Sequence, residues 1–126
     1  METLYPTYFG HEQLEVYHLA LGFVSEVYRL SETFPKSEQF GLTNQLRRAA
    51  TSVALNIAEG KGRGSDRDFA KFLYQSRGSL LESVSALQIS VKLGFSGLDQ
   101  IEALLAEADR INAKLNALIN SLDTGV

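Results

Sequence analysis

Apolar residues recur along this chain at intervals of three and four, the period of an α-helix, in four successive stretches. The pattern predicts helices over residues 11–33, 41–59, 66–93 and 98–122. Each boundary carries a chemical signal. Pro35 lies just beyond the first stretch, where a ring-locked φ and a missing N–H are tolerated. The second stops in Gly60-Lys61-Gly62-Arg63-Gly64. Ser65, with Asp68 three residues later, resembles a capping box opening the third, although Asp stands where Glu or Gln is usual. Leu93-Gly94 closes it, and Ser96-Gly97-Leu98-Asp99 opens the fourth. No alternating run or Asn-Gly hairpin competes. Connections this short make neighbouring helices antiparallel. The expected fold is all-α: one domain over residues 1–126, an up-down-up-down antiparallel four-helix bundle.

Two of the helices carry more apolar surface than one bundle face requires. The first has one stripe of Leu14, Tyr17, Leu21, Val24 and Tyr28, and another of Val16, Leu19, Phe23, Val27 and Leu30. In the third, Phe69, Leu73, Leu80, Val84, Leu87 and Val91 make one stripe. Tyr74, Leu81 and Ile89 make a second, with Gly78 and Ser85 between them. Monomers rarely leave large apolar patches open, so the second stripes predict self-association. Gly78 costs a mid-helix position about 1 kcal/mol relative to Ala, and close approach of another backbone would explain it. The bland alternative is fuller enclosure within one bundle. The fourth helix has a single broad face, Ile101, Leu105, Ala108, Ile111, Leu115, Leu118 and Leu122.

The second helix buries Leu42, Leu46, Ala49, Val53 and Ile57 as its core stripe. Beside it Gln45, Arg48, Ser52, Asn56 and Glu59 keep to one edge. Asn56 lies nearest the core and needs hydrogen-bond partners if buried. Arg77, flanking the main stripe of the third helix, is the expected partner; Glu82 lies well round that helix. This row is expected to be a structural polar network fixing helix register, with a ligand or catalytic site as the alternative.

Charge changes the picture. The net charge is −3, which argues against a nucleic-acid binder. Its distribution does not: residues 36–77 hold eight bases and four acids, whereas the flanking segments are acidic. Lys61, Arg63, Arg67 and Lys71 fall on the glycine loop and the first turns of the third helix, with Arg47 and Arg48 on the second. Repeated around an oligomer, such a patch would hold phosphate backbone. Local pairing with Asp66 and Asp68 is the competing expectation.

Other chemistry is thin. There is no cysteine, hence no disulfide or thiolate site. The glycine run before a helix suggests an anion cradle, but no Gly-Lys-Ser/Thr ends it as in a P-loop. A turn with positive-φ glycines is the simpler expectation. His11 and His18, with Glu15 between, are about 10 Å apart along a helix, too far to share one ion. No nucleophile–base set stands out and no cofactor is expected. No segment is apolar enough to span a membrane. Residues 1–4 lack the basic and apolar regions of a signal peptide, and a cytoplasmic home is expected.

Several segments are familiar as sequence. Phe34-Pro35-Lys36-Ser37-Glu38-Gln39-Phe40-Gly41-Leu42, Gln45-Leu46-Arg47-Arg48-Ala49-Ala50 and Asn56-Ile57-Ala58-Glu59-Gly60 resemble the four helix bundle protein family. These are bacterial proteins encoded by intervening sequences of 23S ribosomal RNA genes. Leu14-Glu15-Val16-Tyr17, Phe72-Leu73-Tyr74 and Arg77-Gly78-Ser79-Leu80 with Glu82 match as well, so the likeness covers roughly residues 11–95. The resemblance implies a four-helix protomer and a ring-shaped homopentamer. A related branch, the accessory protein of diversity-generating retroelements, forms a basic barrel that binds nucleic acid and a reverse transcriptase. This chain departs in being net acidic and in having Ala54 where many relatives have proline, which implies a straighter second helix.

Three functional expectations follow. The first is a non-enzymatic oligomeric scaffold contacting RNA or DNA through repeated basic patches. The second is a protein-interaction module without nucleic-acid binding. The third is a small-molecule enzyme built on the polar row of the second helix.

Overall fold

The computed structural model describes residues 8–125. Among them are four α-helices and no strand: α1 (Glu15–Ser31), α2 (Leu42–Lys61), α3 (Asp66–Lys92) and α4 (Leu98–Ser121). Each packs against its sequence neighbours, and α4 closes the square against α1. One core draws on all four, with Phe23, Leu46, Ile57, Leu73, Leu80, Leu87, Ile111 and Leu115 fully buried. Side chains of this size each contribute about 1.5–3 kcal/mol when removed from water.

The first helix begins later than its pattern predicts. Gly10–Gln13 form a separate 3-10 turn, and Leu14 is extended at φ −89, ψ 120. The Glu12 carboxylate ties this turn down by accepting from the backbone N–H groups of Tyr8 (3.1 Å) and Phe9 (2.8 Å). At the far end, Thr33 lies outside the helix. The Ser65 hydroxyl caps α3 by accepting from the Asp68 N–H at 3.2 Å. The α3–α4 connection turns at Gly94, whose φ of +78° favours glycine. It is sealed by the buried pair Ser90 Oγ and Ser96 Oγ at 2.6 Å.

The α2–α3 pair is the tightest joint in the bundle. Helix α2 does not stop at Glu59 but runs on to Lys61, and Gly60 is a buried helical residue. A Cβ there would lie 2.6 Å from Phe72 Cβ and 3.1 Å from the Phe69 ring. Absence of a side chain, rather than freedom of φ, is what this position requires. Farther along, Ser76 Oγ crosses to α2 and donates to the Val53 carbonyl at 2.8 Å. Ser76, Ser83 and Ser90 recur at seven-residue spacing, all with 0% exposure. Their hydroxyls bond to nearby oxygens, so the small polar groups are satisfied as they are buried. Helix α2 is unbroken through Ala54, which is buried against the core.

Of the doubled stripes, Val16, Leu19, Phe23 and Val27 form the core side of α1. Tyr17, Leu21 and Val24 are half-buried, and Tyr28 is exposed. On α3 the second stripe lies open: Tyr74 is 51% exposed, Leu81 55% and Ile89 45%. Gly78 faces open space with nothing within 4 Å, so it is not a close-approach site within the protomer. On α4 the deepest residues include Leu104 and Ile119, while Leu105 and Leu118 pack at the core's edge.

The two mid-helix glycines therefore respond oppositely to alanine. Gly60→Ala is expected to lose about 1–3 kcal/mol through overpacking against Phe72. Gly78→Ala is expected to gain up to about 1 kcal/mol of helix propensity. Urea unfolding of the two variants, compared with the parent, measures both.

Candidate nucleic-acid interface

The six predicted cations separate into three groups. Arg47 turns inward toward the end of α1. Its Nε donates to Ser31 Oγ at 2.8 Å, and its Nη2 donates to the Tyr28 carbonyl at 3.3 Å. The guanidinium also lies 4.5 Å from the Tyr28 ring centre. Ser31 Oγ in turn donates to the Val27 carbonyl at 2.7 Å. A cation set against the last carbonyls of a helix satisfies acceptors that have no partner along the chain and complements the helix dipole. Arg47 is engaged in structure.

Lys61 and Arg63 fold over aromatic rings on α3. Lys61 Nζ lies 5.6 Å from the Phe69 ring centre, and the Arg63 guanidinium 4.8 Å from that of Phe72. Arg63 also pairs with Glu59 at 2.9 Å, an exposed pair one helical turn apart. Such exposed pairs contribute well under 1 kcal/mol. The loop between them is no anion cradle of positive-φ glycines, since only Gly64 of its three has positive φ (+84°). Gly60 and Lys61 belong to α2, and Gly62 has an ordinary helical φ of −80°.

Arg67, Lys71 and Arg48 make up the third group. They are exposed and form no ion pair with any described residue. The expected local pairs with Asp66 and Asp68 do not form. Asp66 instead accepts from the Asp123 backbone N–H at 3.0 Å. Arg67 and Lys71 line one surface groove with Tyr74, bounded by Ile119, Asn120 and Leu122 of the α4 end. Arg77 closes this row. Its guanidinium sits 4.9 Å from the Tyr74 ring centre, and its Nη1 donates to Asn116 Oδ1 on α4 at 2.7 Å. Arg67, Lys71, Tyr74 and Arg77 share one flank of α3, a row of roughly 15 Å. Tyr74 had been assigned only to an apolar stripe; its spacing of three from Lys71 was the available signal for its place here.

The polar row of α2 also divides. Asn56 does not meet Arg77, which is committed to α4. Its Nδ2 donates to the Ser52 carbonyl and Oγ, both at 2.9 Å, and Ser79 Oγ donates to Ser52 Oγ at 3.0 Å. Gln45 and Arg48 line an open cleft with Ser52, Ser79 and Glu82. Glu59 belongs to the Arg63 pair. Among the described residues Glu82 bonds to neither serine, so no base addresses a hydroxyl nucleophile there.

The histidines are not on one helix, because His11 precedes the extended Leu14. Both imidazoles pack edge-on against Tyr17, and His18 Nε2 meets the Glu12 carbonyl at 2.8 Å. No three His, Cys, Asp or Glu side chains gather as for a metal among the described residues. No described helix is long and apolar enough to cross a membrane.

These features define the class, an antiparallel four-helix bundle with one cationic, aromatic flank. The sequence matches the 23S rRNA-intervening sequence protein family over residues 12–117, and the chain belongs to that family. Its fold is similar to that of a solved protein of unknown function from the S23 ribosomal protein family of Bacteroides thetaiotaomicron VPI-5482. That likeness has a TM-score of 0.77 at 22% identity, covering 84% of this chain and 99% of the other. No curated protein matches.

The two adjacent arginines should separate cleanly by mutation. Arg47→Met is expected to cost about 1–3 kcal/mol of unfolding free energy by leaving the end of α1 uncapped. Arg48→Met should change it by less than about 0.5 kcal/mol. Denaturant titration of both variants checks the contrast.

Proposed function

We propose that this protein is a non-enzymatic, self-assembling scaffold that holds single-stranded RNA or DNA along the α3 flank. The observation that carries this reading is the row Arg67, Lys71, Tyr74 and Arg77, in which two unpaired cations adjoin an exposed aromatic ring. Cations spaced along a groove follow a phosphate backbone. An exposed tyrosine offers a stacking platform that any base can use. One protomer presents only a short row, so affinity rests on repeating it. The open apolar residues of α3 and the half-open stripe of α1 supply the motive for assembly. Multiplication of weak contacts in one assembly then raises avidity without any new contact.

The competing reading is a protein-interaction module, favoured by the same exposed apolar residues. In that case protein partners recovered from cells survive nuclease, and the purified chain retains no nucleic acid.

Filter binding across a salt series tests the proposal. The parent protein is expected to retain single-stranded RNA or DNA at low salt, with affinity falling as salt rises. Arg67→Glu with Lys71→Glu should weaken retention about tenfold or more and reduce the salt slope by about 2. Tyr74→Ala should weaken binding with the slope unchanged. Absence of retention at low salt, or a slope indifferent to the charge reversals, overturns it.

A further inference from the structure

The four sides of the bundle are not alike. The α2–α3 side is a polar cleft of Gln45, Arg48, Ser52, Ser79 and Glu82. The α1–α4 side is charged, with Glu15 meeting Lys114 at 3.3 Å and Arg110 at 3.6 Å. The two remaining sides, opposite one another across the square, hold the exposed apolar groups. Tyr28 and Leu55 border a shallow depression on the α1–α2 side together with Arg48. On the α3–α4 side Leu81 edges a groove whose walls are Val84, Leu105 and Ala108.

These opposite sides also complement each other chemically. The α3–α4 groove carries Asp109 at its rim and Asn112 beside it. Glu102 is seven residues before Asp109 and shares its flank of α4. Asn112 Oδ1 is buried without a hydrogen-bond partner among the described residues. A buried acceptor left without a donor is uncommon in a finished structure and costs stability until one arrives. Arg48, on the opposite side, is an exposed cation with no ion pair among the described residues. A guanidinium has donors enough to serve a carboxylate and an amide oxygen three residues apart on one helix.

We infer that the α1–α2 side of one copy docks on the α3–α4 side of the next, with Arg48 of one copy set across Asp109 and Asn112 of its neighbour, and Leu55 and Tyr28 meeting Leu81. This rests on the self-assembly reading above and specifies its surface. The contact is heterologous, because two different patches meet, so copies follow one another head to tail and close into a ring or extend as a filament. The Arg77–Asn116 bridge separates this acidic half of the α3–α4 side from the cationic row at Arg67 and Lys71. Assembly therefore leaves that row open on every copy.

Charge exchange tests the inference. Arg48→Asp, Asp109→Arg and the double variant are compared with the parent by sedimentation velocity across micromolar concentrations, with circular dichroism confirming the helical fold. Each single reversal sets like charges against each other and is expected to weaken assembly about tenfold or more. The double variant restores opposite charges at the contact and should regain most of the parental assembly. Two singles mixed in equal amounts should also assemble, since each supplies the face that the other lacks. If the parent assembles and the single reversals assemble equally well, or the double variant is no better than the singles, this contact is wrong while self-assembly stands. If the parent is a monomer at these concentrations, both readings fall.

Discussion

The close approach of α2 and α3 sets the geometry on which the rest depends. Two helices reach this distance only where side chains are small, and here Gly60 and Ser76 are the points of contact. The serines bring polarity with their small size, which a buried surface tolerates only when each hydroxyl finds an acceptor. A hydroxyl bonding across to the Val53 carbonyl fixes the axial register of the pair as well as its spacing. With that pair locked, the outward direction of every residue on α3 is determined.

Function follows from that rotation. The side of α3 turned from α2 carries Arg67, Lys71, Tyr74 and Arg77 along the groove with α4, and Arg77 is anchored there by Asn116. The same rotation opens Leu81 to solvent and takes Arg63 and Lys61 onto Phe72 and Phe69. A basic cluster contiguous in sequence thus becomes two in space, one folded onto rings and one free to meet phosphate. The acidic net charge of the chain is no obstacle, because electrostatic attraction at this range is set by local groups within about 8–10 Å.

Much of the fold was legible because it rests on periodicity. The four helices lie where the three-and-four spacing placed them, apart from the separate turn at Gly10–Gln13, and the core stripes of α2 and α3 are those expected. What failed to show was whatever depends on the reason for a residue rather than its type. Gly60 and Gly78 are both helical glycines, yet Gly60 excludes a clash and Gly78 faces open space. A glycine looks the same in sequence whether it supplies freedom or absence. Arg77 was matched to Asn56 on position along the helix. A long side chain has enough rotatable bonds to reach either neighbour, and it went to α4. The apolar alternatives Leu104 and Leu105, or Leu118 and Ile119, differ by one position, a rotation of about 100° that only packing resolves. Arg47 and Arg48 were indistinguishable as cations, although one caps α1 and the other faces solvent.

The claim that the α2–α3 pair organises the molecule is tested most directly by native-state hydrogen exchange, resolved by residue. The backbone amides of Ala50–Ile57 and Leu73–Leu87 should be the last to exchange, at rates set by global unfolding, with α1 and α4 opening first. Amides of α1 or α4 that outlast those of both central helices would contradict it.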